Sequence, residues 1–351
     1  MSDTEPYRPA LDDPTAYVLY RYIPNRIAAI IFVVAFGLTT FLHIFQFIRR
    51  KTWYFAPLVI GVEVIGYIGR YLSHDDVWAL GPFIMQSLLI LLAPALFAAS
   101  IYIILGRIIL LVDGERYSLI SHKWLTKTFV AGDVFSFMLQ AAGGGIQAMG
   151  TLDALHTGEK IIIGGLFVQL LFFGFFIVVS AVFHYRVSRD LPLKRRYSPF
   201  SCFKSRQSHE IVQTWTTVSR ASLDELPWKR HLFNLYFASA LIMVRSIFRV
   251  VEYLGGNAGY LLSHEVYLYI FDALLMFFVM VSFNWTHPSQ VTDAHQKRLR
   301  SGSPMELQHS RDMSTGADEE HMMGHREAKN GVRTGGRSGS QHSSSRHNSR
   351  R

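Results

Sequence analysis

The chain has 351 residues, of which 50% are apolar and only 17% charged, while residues 289–351 are almost wholly polar, so the remaining body is too apolar for a water-soluble domain. The net charge of +9 sits in loops and tail between apolar runs, which excludes a nucleic-acid binder. One cysteine, Cys202 in a basic stretch, excludes an intramolecular disulfide and is an inert or an acylated thiol.

Apolar runs of about 20 residues recur, the length that crosses roughly 30 Å of hydrocarbon as a helix. Backbone amides in lipid must be satisfied within their own segment or in a closed barrel. Ile103 to Leu111 and Ile161 to Val179 lack the strict alternation of barrel strands. The expected fold class is therefore all-α, a polytopic bundle of seven transmembrane helices. Residues 1–25, polar and acidic, precede the first apolar run, so the first span is expected to stay as an anchor and not to be cleaved as a signal peptide.

In chain order the spans are expected at Arg26–Ile48, Tyr54–Leu72, Pro82–Leu111, Leu125–Met149, Lys160–His184, His231–Tyr253 and His264–Thr286, within a membrane domain of residues 26–288. The connections alternate in charge. The first carries Arg49, Arg50 and Lys51, the third Arg116 and Lys123, and the fifth, residues 185–230, ten Lys or Arg. The second has His74, Asp75 and Asp76, the fourth Asp153 and Glu159, and the sixth no charge. The positive-inside rule then puts the odd connections and the tail of residues 289–351 in the cytoplasm and residues 1–25 outside, against the pull of Arg8, Arg21 and Arg26. Arg186, Arg189, Lys194, Arg195 and Arg196 fix topology or meet anionic headgroups. The tail, rich in Ser, Gly, His and Arg without apolar periodicity, is expected to be disordered.

Ionisable side chains inside spans are costly and mark functional candidates. Glu63 and Arg70 are seven residues apart and share a face of span two. Arg245, Arg249 and Glu252 share a face of span six, and Glu265 and Asp272 lie on span seven. At about 1.5 Å per residue, Glu63, Gln140, Gln169, Arg245 and Asp272 fall roughly 12 to 14 Å below the outer interface, with Arg70, Gln86, Arg249, Glu252 and Glu265 within about 6 Å of it. Asp133, about 24 Å down, belongs to the inner half. Two readings stand at this point: Arg245 pairs with Asp272 or Glu63, and Arg249 with Glu252 or Glu265, only to neutralise charge and hold register; or the cluster lines a solvated cavity open to the outer side. Glycines at 61, 66, 69, 143 to 145, 164 and 165 suit close helix packing, and Pro94 predicts a kink. No metal site is expected, because His43, His74, His184, His231 and His264 fall on different segments and no H-E-x-x-H pattern occurs.

Glu63 to Arg70, Gln86 to Leu96, Gly132 to Gly144, Gly158-Glu159 followed by Gly164 to Gln169, Arg245 to Tyr253 and Asp272 to Met276 together resemble the fungal lipid-translocating exporter family, also called RTA-like or resistance-to-aminocholesterol proteins. The likeness spans about Tyr22 to Pro288 and leaves out the long fifth connection and the tail. The resemblance implies a seven-span membrane protein that moves sphingoid long-chain bases, sterol amines or similar toxic amphiphiles, or in one branch porphyrin. It supplies no catalytic residues, no cofactor and no substrate choice. The expected activity is translocation of a lipid-like amphiphile across a fungal plasma membrane, with membrane lipids as partners, no enzymatic reaction, and an ammonium meeting Glu63 or Asp272. No Walker motif is present to bind ATP. A lipid sensor or receptor signalling through the basic loop is the alternative.

Overall fold

The computed structural model describes residues 10–11, 18–56, 61–112, 114–189, 191, 228–256 and 259–297. Its helices are α1 (Arg26–Arg50), α2 (Val62–Leu72), α3 (Leu80–Leu111), α4 (His122–Gln147), α5 (Leu152–Arg189), α6 (Trp228–Leu254) and α7, which runs through Glu265–Leu268, Tyr269–Leu274 and Leu275–Trp285. No strand occurs among the described residues. All of these except α2 are long and apolar enough to cross a membrane, six candidate spans by length and composition. The segment Tyr269–Leu274 is π-helical and carries Asp272, so the last helix is locally underwound where it presents its acid.

Local chemistry sets the ends. Asn25 caps α1, its side chain accepting from the Ala28 amide at 3.1 Å. The helix stops at Lys51, which turns left-handed (φ 51°), with Arg49 and Arg50 in the last turn where cations suit the helix dipole. Thr151 caps α5 through its hydroxyl on the Ala154 amide at 3.2 Å. That cap starts α5 at Leu152, eight residues before the expected span, so Asp153 and Glu159 are helical and the α4–α5 connection is short. The expected second span is interrupted: a 3-10 turn, Trp53–Phe55, is followed after residues 57–60, which lie outside the described set, by α2. Gly61 opens α2 at φ +69°, a conformation side chains resist, and an added Cβ there would lie 3.2 Å from Thr40 Cγ2. Glu63 therefore occupies the first turn of a short helix. α3 remains helical through Pro94.

Residues 289–297, expected in the disordered tail, are helical instead. Pro288 precedes them where a missing amide costs nothing. Ser289 Oγ accepts from Arg50 at 2.7 Å and Thr292 Oγ1 meets the Tyr54 hydroxyl at 2.9 Å, so contacts from distant segments hold what composition alone leaves unordered. The rest of the tail, and most of the basic loop 185–230, lie outside the described residues.

Polarity is arranged inside out. Large apolar residues such as Ile27 and Phe41 are 71% and 67% exposed on α1, whereas Arg70, Arg245 and Asp272 are buried. Burying charge while exposing isoleucine is favourable only where the surroundings are hydrocarbon. Successive helices alternate in direction, as the Arg26–Asp75 pair between the start of α1 and the end of α2, and the Thr39, His43 and Gln46 contacts of α1 with parallel α7, require.

α4 and α5 pack along much of their length because glycine lets their backbones meet. A Cβ on Gly158 would lie 2.5 Å from the Gly143 carbonyl oxygen, and one on Gly165 2.9 Å from that of Ser136, while Gly164 meets nothing within 4 Å. Gly158→Val is therefore expected to destabilise the protein by about 1–3 kcal/mol or more, and Gly164→Val to have little effect. Thermal aggregation of the detergent-solubilised variants checks this; equal midpoints would refute the close approach.

Candidate functional site

The site begins with two glycines. An added Cβ on Gly66 would sit 2.8 Å from Ile90 Cγ1, and one on Gly69 3.1 Å from both the Gln86 amide and the Pro82 carbonyl, so α2 lies hard against α3 only because those positions lack side chains. Glu63, Tyr67 and Arg70 are buried on that helix, with Gln86 on its neighbour. α6 and α7 close the other side with Arg245, Arg249, Glu252 and Asp272.

The pairing left open by spacing is resolved. Arg70 donates to Glu265 at 2.7 Å through Nη2, and its Nε reaches the Tyr269 hydroxyl at 3.0 Å. Arg245 Nε pairs with Asp272 Oδ1, and its Nη2 donates to the Ile90 carbonyl at 2.8 Å. Arg249 pairs with Glu252 at 2.6 Å, with Asp272 Oδ2 at 4.0 Å beyond. Arg70, Arg245 and Arg249 are thus paired with Glu265, Asp272 and Glu252, Arg21 and Glu159 add one charge of each sign to the larger cavity's lining, and Glu63 has no such pair among the described residues. It is 2% exposed, and neither of its oxygens has a hydrogen-bond partner among the described residues. Tyr67 Oη, one turn along the same face, and Asp272 Oδ2 are likewise without one. On the donor side Arg70 Nη1 and Arg249 Nε are also unmatched.

Two cavities lie along α3. One of about 90 Å³, room for several waters, is lined by Arg70, Gln86, Ile90, Arg249, Glu252 and Tyr253. A smaller one of about 10 Å³, barely a water's worth, is lined by Thr40, Gly61, Glu63, Ala93, Phe97 and Met280. Ile90, which lines the larger cavity, accepts from Arg245, whereas neither Arg245 nor Asp272 lines either cavity. Four rings, Phe32, Phe36, Tyr67 and Tyr269, stack beside this path at centroid spacings of 5.2 to 5.6 Å along the sequence Tyr269, Phe32, Tyr67, Phe36.

Of the other polar residues singled out by sequence, Gln140 and Gln169 bond to each other at 2.9 Å across the α4–α5 crossing and line neither cavity. Asp133 accepts from the Tyr102 hydroxyl at 2.8 Å among Phe129, Phe173 and Phe176, away from the cluster. Sequence reasoning missed the segment before α1. The Tyr20 hydroxyl lies 2.9 Å from Ser73 Oγ and 3.1 Å from Gln86 Oε1, and Tyr22 Oη accepts from Arg70 at 2.7 Å. Burial pushes the Tyr20 phenol up to about 12, so it remains a donor at neutral pH. The apolar and aromatic run Val18-Leu19-Tyr20-Arg21-Tyr22-Ile23 was the available signal.

This chain is similar to known proteins over most of its length. It is 36% identical to protoporphyrin uptake protein 1 of Saccharomyces cerevisiae over 77% of this chain and 92% of that one. It is 33% identical to protein RTM1 of the same species over 76% and 90%, and 29% identical to the sphingoid long-chain base transporter RSB1 of strain Lalvin EC1118 over 76% and 72%. No solved structure matches it. The family described as RTA1 like protein matches residues 57–295, about two thirds of the chain, and to that family the protein belongs.

Proposed function

We propose that this protein translocates an amphiphile with a cationic head across a membrane, with Glu63 as the carboxylate that receives the ammonium. The observation that carries the reading is Glu63 itself: a buried acid with no hydrogen-bond or ion-pair partner among the described residues, in a cluster where carboxylates outnumber guanidiniums. An uncompensated carboxylate in a low-dielectric interior is costly, and a visiting cation offsets that cost. Asp272, the other candidate from sequence, already holds Arg245. The transport names of relatives support a lipid-like cargo, and the sphingoid base moved by one of them has the required charge and tail.

In this reading the chain crosses the membrane seven times, α2 serving as a short second span, with the start of α1 outside, the tail in the cytoplasm and the larger cavity facing the outer leaflet. The plasma membrane is the proposed location, and the cargo's chain stays among the apolar helix faces and lipid while its head passes the cluster. The protein moves its cargo without chemical change to it.

Purified protein in liposomes tests this against a fluorescent long-chain ammonium amphiphile and its N-acetylated, neutral analogue. The ammonium compound is expected to cross at least about tenfold faster than in empty vesicles, the increment a single charge-assisted contact supplies, and the neutral one at the background rate. Equal acceleration of both would defeat the role given to Glu63, and acceleration of neither would defeat transport.

A further inference from the structure

Ahead of α1 the run Val18-Leu19-Tyr20-Arg21-Tyr22-Ile23 is mostly apolar and packs partly into the bundle, with Ile23 left exposed. Val18 is fully enclosed and Tyr20 nearly so, with the Tyr20 ring edge-on to Phe83 at 5.3 Å. Residues 18 to 22 line the larger cavity, whose other walls include Arg70, Gln86, Leu155, Glu159, Arg249 and Glu252. We propose that residues 18–23 are a displaceable plug whose Tyr20 and Tyr22 phenols stand in for the hydroxyl groups of the cargo, in a headgroup subsite made by Arg70, Ser73 and Gln86.

The contacts are those a hydroxyl ligand needs. Gln86 Oε1 and Ser73 Oγ share the one Tyr20 proton, Ser73 being free to accept because its own proton goes to the Gly69 carbonyl at 3.0 Å, and Arg70 Nη2 donates to Tyr22. Each phenol uses one half of this set, and a hydroxyl that both gives and accepts uses either. An anionic head suits the place poorly, since Glu252 and Glu265 stand beside the two arginines and already hold them.

The geometry also provides a pivot. The base of the segment is pinned at the rim: the Asn25 amide donates to both Glu265 oxygens at 2.8 and 2.9 Å, the Pro24 carbonyl meets His74 Nδ1 at 2.8 Å, and Arg26 pairs with Asp75. Above that anchor, Tyr20 and Tyr22 are held by hydrogen bonds that a cargo hydroxyl can replace one for one. At about 90 Å³ the cavity admits water but no lipid headgroup with its chain, and withdrawal of two phenol rings enlarges it.

The inference rests on the transport reading above but fails separately from it. In a Cys202→Ser background, Leu19→Cys and Leu155→Cys, both lining the cavity, are bridged by a short bis-methanethiosulfonate linker. Bridging is expected to cut translocation of the ammonium amphiphile at least tenfold, with recovery on adding dithiothreitol, while each single-cysteine variant treated with the linker keeps its rate. Bridged protein that transports at the unbridged rate overturns the plug and leaves the transport reading standing. The subsite is tested with Gln86→Leu, which should raise the half-saturating concentration severalfold for an alkylammonium carrying two hydroxyls but not for one of equal chain length carrying none. An equal change for both overturns the subsite.

Discussion

Arg245→Leu is expected to destabilise the protein by about 3–5 kcal/mol, because it leaves Asp272 buried and charged without its partner. The double variant R245L/D272L should recover most of that loss. Two leucines of similar bulk fill the space, and hydrophobic replacement of a buried ion pair is commonly neutral or better. Recovery will fall short by about 1 kcal/mol, since the Ile90 carbonyl loses its 2.8 Å donor in either variant. Asp272→Leu alone should be destabilised as well, with Arg249 keeping Glu252 at 2.6 Å but losing the more distant acid. Unfolding of the four proteins in mixed micelles, followed by tryptophan fluorescence, closes the double-mutant cycle. Additive losses, with the double variant the least stable of all, would mean that the two residues do not act as a pair. Transport by R245L/D272L then reports on whether the pair is only structural: a stable protein that leaks amphiphile faster would identify it as the barrier between the cavity and Glu63.

The membrane-spanning class was legible from run length, and the shared faces of α2 and α6 from seven- and four-residue spacings, because helix period is a local property. Which acid each arginine takes was not legible. Arg70 and Glu265 are 195 residues apart, and spacing along one helix says nothing about the rotation of another. The depth estimate grouped Gln140 and Gln169 with the charges, yet equal depth is not equal azimuth, and those side chains turn toward each other between α4 and α5. The break at Gly61 was hidden because apolar content continues across it and only the left-handed backbone reveals it. Tyr20 and Tyr22 escaped for a related reason: their partners, Ser73, Gln86 and Arg70, lie 48 to 66 positions away, and a short apolar run ahead of a span says nothing about where it docks.

Glu63→Gln should separate function from fold in the way Arg245→Leu cannot. The substitution keeps side-chain volume and removes only the ability to carry negative charge. Glu63 makes no hydrogen bond or ion pair among the described residues, so no partner is stranded by the change, and the unfolding midpoint should match that of the parent or rise slightly. Translocation of an ammonium amphiphile should nevertheless fall about 10- to 150-fold, the kinetic equivalent of losing one charge-assisted contact of about 1.5–3 kcal/mol. Asp272→Asn offers the contrasting signature, since its cost to transport should come with a loss of stability as Arg245 loses its counter-ion. A Glu63→Gln protein that folds and transports normally would return the cluster to the purely structural reading, in which the guanidiniums and carboxylates exist to neutralise one another. Against that reading stands Glu63 itself: among the described residues it is hydrogen-bonded and ion-paired to none of the three arginines that hold Glu252, Glu265 and Asp272, and a network built only for neutrality has no use for an acid so placed.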